Sequence, residues 1–113
     1  LLTAAPSDSG GGTEVSGGAY ARLAVTASLS NWAGTQSTGS TTASSGTGGQ
    51  TSNNVAITFP TPTATWGTVT HFGIYDDATS GNLLFHGSLT IAKTINEADT
   101  VTFPAGSLSV TFA

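Results

Sequence analysis

The side chains best equipped for chemistry in this chain are two histidines, His71 and His86, and an adjacent acidic pair, Asp76 and Asp77. All four fall in the stretch from Trp66 to Thr90, which reads as a β-hairpin turning at Asp76 to Gly81. A loop of Asp77 to Ser80 would place Asp76 opposite Gly81, Ile74 opposite Leu83 and Phe72 opposite Phe85. The two imidazoles would then face each other, close enough to share a ligand. Zinc needs further donors, however. The chain has no Cys, so a carboxylate would have to come from Asp76, Asp77, Glu97 or Asp99. The simpler reading is two structural histidines bonded to backbone or to neighbouring Thr, with a metal conceivable only where a symmetric assembly gathers several copies on one axis.

Asp76 and Asp77 serve general acid and base work on one bond poorly, because neighbouring residues of a strand point to opposite faces. A turn this short also supplies too few oxygens for calcium. Both read as turn formers. The many Ser residues have no Gly-x-Ser-x-Gly context and no Ser-His-Asp arrangement. Gly10 to Gly12 lack the Lys-Ser/Thr pair and the following helical pattern of a phosphate loop. Trp32 is the one aromatic group in a polar stretch. It reads as an anchor for that loop, with a stacking platform for a sugar ring as the functional alternative. The expectation is therefore no catalytic, cofactor-binding or metal residue, and no enzyme.

The elements that position these side chains are strands. In the hairpin, one face carries Phe72, Ile74, Leu83, Phe85 and Leu89, and the other Val69, His71, Tyr75, Leu84 and His86. Apolar content on both faces implies packing on both sides, with Phe72, Ile74, Leu83 and Phe85 buried together. Upstream, Leu1 and Leu2 read as the end of a strand that begins before this chain. Ala5 to Gly12 reads as a loop, Glu14 to Gly18 as irregular, and Tyr20 to Ala27 as a weakly alternating strand. Residues 28 to 53 are a low-complexity run of Ser, Thr, Gly, Gln and Asn, too polar for a core of their own. Val55 to Phe59 reads as a strand stopped by Pro60 and Pro62. Ile91 to Ile95 is a short strand or extended link. Thr100 to Phe103 and Leu108 to Phe112 form a second hairpin around Pro104 to Gly106. No segment has helical periodicity. The expected fold is all-β, a two-sheet antiparallel sandwich of six to eight strands, in one domain over residues 1–113.

Composition narrows the partners. Charged residues are 7% of the 113, against about 25% in an average soluble domain. A surface built from Ser, Thr, Gly and Asn is weakly protected against association, so neighbours are expected. With a net charge of −4 and two basic residues, Arg22 and Lys93, the chain is unsuited to nucleic acid. No apolar run is long enough for a membrane span.

Several stretches carry a resemblance. They are Leu2 to Arg22 (Leu-Thr-Ala-Ala-Pro-Ser-Asp-Ser-Gly-Gly-Gly-Thr-Glu-Val-Ser-Gly-Gly-Ala-Tyr-Ala-Arg), Val55 to Phe59, Trp66 to Asp76, Gly81 to Leu89, and Asp99 to Phe103. In that order they resemble a family of small tailed-phage virion proteins, of tail-fibre or capsid-decorating type. The resemblance implies a helix and a strand upstream of the Leu2 segment, which these 113 residues do not include, and a 28 to 53 loop longer than the family's. The resemblance implies a non-enzymatic virion subunit. A capsid decoration (cement) protein is the leading expectation, and a tail-fibre or receptor-binding module contacting host carbohydrate through Trp32, Trp66 or Tyr75 is the alternative. It also implies identical subunits as partners, a trimer by preference, together with other virion proteins such as the major capsid protein. A hydrolase of cell-surface glycans is the third class.

Overall fold

A computed structural model describes residues 1–34, 39–43 and 49–111 of the chain. Among these residues there are eight strands and no helix: β1 (Leu2–Ala4), β2 (Thr13–Glu14), β3 (Gln50–Ser52), β4 (Ile57–Thr58), β5 (Gly67–Tyr75), β6 (Leu83–Ile95), β7 (Thr102–Phe103) and β8 (Ser109–Thr111). Every pairing between them is antiparallel. The fold is all-β, as a sandwich requires. The chain divides into two compact units, Leu1–Leu23 with Phe59–Val101, and Ala24–Thr58 with Thr102–Ala113.

The first unit is organised by the expected hairpin. β5 and β6 are its two long strands, in a sheet of order β2-β1-β5-β6. The register differs from the expected one by two residues, with Phe72 opposite Gly87, Gly73 opposite His86 and Ile74 opposite Phe85. Two local causes account for the shift. The Asp76 carboxylate accepts from the Asn82 backbone and side chain at 2.6 and 2.9 Å, and Asp76 N donates to Asn82 O, so the turn closes on Asn82 instead of Gly81. One further residue, Leu84, is then extruded between the pairs Ile74–Phe85 and Tyr75–Leu83.

A shift of two preserves the facing of Phe72, Ile74 and Phe85, since side chains alternate with period two. The extruded residue flips Leu83. Its Cδ1 lies 3.0 Å from where a Cβ on Gly73 would stand, beside Leu2 and Tyr75, so Leu83 leaves the face first assigned to it. The expected joint burial of Phe72, Ile74, Leu83 and Phe85 is corrected accordingly: all four are half-buried. Ile91 to Ile95 is no separate strand but the end of β6. Four residues, Leu89 to Ala92, stand against Thr70 alone between the pairs Val69–Lys93 and His71–Ser88. This four-residue bulge carries Ile91 at 74% exposure.

The closed core of this unit lies at the base of the hairpin. Leu1, Leu2, Val15, Trp66, Val69 and Ile95 are buried, with Leu2 and Val69 fully so. Each fully buried aliphatic side chain contributes about 1.5–3 kcal/mol relative to exposure. Tyr20 stacks on Phe59 at 6.1 Å and meets Trp66 edge-on at 5.2 Å, and the Trp66 indole donates to Gly18 O at 2.8 Å. Tyr20 and its successors, expected as a strand, are irregular. They are tied down through side chains and not through a backbone ladder. Thr13–Glu14, at the edge of the stretch read as irregular, is in fact the strand β2.

The second unit contains two small ladders, β3 with β8 and β4 with β7. The expected hairpin of residues 100–103 with 108–112 is therefore not formed, and Phe112 lies outside the described residues. Its strands take other partners because Asn53 occupies the corner between them. This fully buried side chain donates from Nδ2 to Val55 O (2.8 Å) and Pro104 O (3.0 Å), with a longer contact to Phe103 O, and accepts from Leu108 N at 3.0 Å. The Asn53 backbone carbonyl accepts from Gly106 N at 2.7 Å. One amide thus closes the 104–108 corner onto the end of β3. That strand falls inside the stretch expected as a loop, of which positions 35–38 and 44–48 lie outside the described residues. Of the expected strand Val55 to Phe59, only Ile57–Thr58 pairs as β4.

Candidate functional site

The two histidines are on the same face of the hairpin but offset. His71 stands opposite Ser88, and His86 opposite Gly73. They do not face each other as expected, because the Asn82 turn and the Leu84 bulge displace β6 by two residues. His71 Nδ1 shares a 2.8 Å hydrogen bond with Thr70 Oγ1, and His86 Nε2 is 3.5 Å from Asp8 Oδ1. Each ring thus has its own neighbour. Among the described residues, no three His, Asp or Glu side chains converge as a metal would need.

Asp76 and Asp77 build the turn. Besides the Asp76–Asn82 bonds, Asp77 Oδ1 accepts from Thr79 N at 3.3 Å. The backbone bond from Asn82, then its side-chain bond, hold the Asp76 carboxyl below its ordinary range. Gly81 completes the tip at φ 71°, where any Cβ would stand 2.6 Å from Asp76 Oδ1. Trp32 is half-buried and bridges to Asn53 through its backbone.

The densest polar arrangement involves residues that motif reasoning did not single out. Arg22 donates from Nε and Nη2 to the two carboxylate oxygens of Glu14, at 2.8 and 2.7 Å. Its Nη1 donates to the carbonyls of Asp77 and Ser80 at 3.1 and 2.6 Å. The guanidinium carbon lies 3.7 Å from the centroid of the Tyr75 ring. Tyr20 Oη donates to Glu14 Oε1 at 3.0 Å and accepts from the Leu1 nitrogen at 2.7 Å. A forked, planar donor is what such bidentate pairing plus ring stacking requires, and Lys could not replace it.

The Arg22 and Glu14 side chains are 18% and 28% exposed, so solvent screens the pair only in part. The hydrogen-bonded guanidinium holds the Glu14 carboxyl below the usual range, against the opposing effect of burial. Burial, followed by the Glu14 charge, pushes the Tyr20 hydroxyl up, so it remains a donor. The available signal in the sequence was the single Arg, eight residues from a Glu, in a chain with one other basic residue. Of the three aromatics proposed for stacking on carbohydrate, Trp66 is buried and Tyr75 has one face covered by Arg22.

A protein-family model described as "Podophage GP4 fiber I protein gp80" matches residues 1–111. The chain belongs to this family. It is a bacteriophage structural protein, and the particle is its place of work. No curated protein and no solved structure matches it. In this gp80-family chain, several titratable groups are committed to internal structure. Glu14 and Arg22 hold the hairpin tip, Asp76 and Asp77 shape it, and His71 bonds Thr70.

Proposed function

We propose that the chain is a non-enzymatic structural subunit of a phage fibre. The observation that carries the reading is the fibre description of the family model that spans residues 1–111. The commitment of Glu14, Arg22, Asp76 and His71 to internal bonds supports a structural role in place of a chemical one. A capsid decoration subunit is the second reading, favoured by the charge-poor surface, 7% charged, which suits a lattice contact made by backbone and apolar groups.

Identical copies are the proposed partners, with a trimer expected from the resemblance and other virion proteins beside them. Support comes from β6. In the four-stranded sheet it is an edge strand, it runs for 13 residues, and it carries Leu84 and Ile91 at 52% and 74% exposure. We also read the chain as a single domain, because it passes between its two units three times, at Leu23–Ala24, Thr58–Phe59 and Val101–Thr102. Quantitative mass spectrometry of purified particles tests the assignment through copy number. A handful of copies per particle is the expected result, and hundreds would overturn the fibre reading in favour of a capsid lattice.

A further inference from the structure

Ser80 adopts φ 56°, a left-handed backbone that a residue with a Cβ takes only at a cost. It sits in a tip whose residues 76–82 are all exposed, so no packing enforces the conformation. The turn's own side-chain bonds run between Asp76 and Asn82 and between Asp77 and Thr79. What grips Ser80 comes from outside the hairpin: its carbonyl accepts from Arg22 Nη1 at 2.6 Å, the shortest bond that Arg22 makes. Arg22 in turn is aimed by Glu14 of β2, which takes its other two donating nitrogens.

We propose that Glu14 and Arg22 form a latch that holds the hairpin tip in its left-handed conformation at Ser80 and keeps one face of the Tyr75 ring covered. Releasing it loosens residues 77–81 and uncovers that face, while the base of the hairpin stays closed. The side chains of Leu2, Trp66 and Val69 make none of the latch's bonds. Leu2 meets Glu14 through the β1–β2 ladder and Trp66 meets Tyr20 by ring packing, and neither contact uses the Arg22 guanidinium, so losing Arg22 leaves both in place. Around the latch, the groups facing Glu14 are Arg22, Tyr20 and the Leu1 nitrogen; those facing Arg22 are Glu14, Tyr75 and the two tip carbonyls. Of these groups Glu14 is the one that acid neutralises, so the latch opens on the acid side of its range.

Amide exchange and ring chemical shifts measured by NMR on the full 113-residue chain test the latch. In Arg22→Gln, exchange at Thr79 and Asn82 should rise about tenfold, the loss of one charge-assisted hold, with Val69 unchanged. The Tyr75 ring signals should move towards those of an exposed tyrosine. Glu14→Gln should loosen the same two amides. In a Ser80→Gly background the left-handed conformation no longer needs holding, so Arg22→Gln should change exchange at Thr79 and Asn82 by less than about twofold. Unchanged tip amides and Tyr75 signals in Arg22→Gln would overturn the proposal, as would equal loosening with and without Ser80→Gly. If Arg22→Gln also strips protection from Val69, Glu14→Gln decides: loosening confined to the tip supports the latch, and none refutes it.

Discussion

The Phe72 ring lies across Gly87, its direct partner on the neighbouring strand, so closely that a Cβ on that glycine would stand 2.8 Å from the ring. A glycine in a strand interior normally weakens it, because it leaves nothing to pack and costs entropy. Here the half-buried ring fills the space that the glycine vacates. The pair therefore behaves as one unit.

That coupling can be measured in a double-mutant cycle. Gly87→Ala alone should destabilise by about 1 kcal/mol, because the ring must be displaced. In the Phe72→Ala background the same substitution should become neutral or stabilising, by up to about 1 kcal/mol, since Ala is the better strand residue once the ring is gone. Urea denaturation of the four variants reads this out, and the same sign in both backgrounds would show that the ring does not occupy the site.

Trp66 and Phe72 should differ in cost. Trp66 is 5% exposed, packs against Tyr20 and donates to Gly18, so Trp66→Ala should cost about 3–5 kcal/mol. Phe72 is half-buried, and Phe72→Ala should cost roughly half as much. Equal losses in chemical denaturation would place the core further along the hairpin than the base.

Asn53 should be intolerant of change. Asn53→Ala removes one donor group shared by three carbonyls and one acceptor of Leu108 N, all at a fully buried site. A loss of about 2–4 kcal/mol is expected from stranding these groups. Asn53→Asp keeps the shape but has no donor, and should be at least as damaging. A stable Asn53→Asp protein, seen as an unchanged urea midpoint, would mean that the corner is held by other contacts.

Acid should weaken the molecule through Glu14. Its carboxyl is held below the ordinary value in the folded chain, so its contribution is present above the unfolded value of about 4.3 and is lost as pH falls through the lower, folded one. Relative to Glu14→Gln, the parent should be more stable at pH 7 by on the order of 1 kcal/mol, the scale of a partly exposed forked pair. Stability curves for both proteins should converge once the pH is below the folded value. A gap that persists undiminished there would dissociate Glu14 from the effect.

Much of this architecture was legible because it is local. Alternation and the Asp76-to-Gly81 cluster revealed the central hairpin, and period-two facing kept Phe72, Ile74 and Phe85 together even though the register was displaced. The displacement came from features that a binary pattern does not encode: Asp76 choosing Asn82 as its partner, and one extra residue at Leu84. Pairing at long range was less accessible. Residues 100–103 and 108–112 alternate like a hairpin, yet a buried Asn53 some fifty positions upstream sends β7 to β4 and β8 to β3. The latch was missed for a related reason, since Arg22 looked like one member of a strand until the fold brought Glu14, Tyr75 and Ser80 around it.

Immunogold electron microscopy of intact particles, with an antibody raised against this chain, tests the central claim most directly. The fibre account predicts gold confined to the fibres projecting from the particle, with a bare capsid shell. Gold distributed evenly over the shell, with unlabelled fibres, would contradict it.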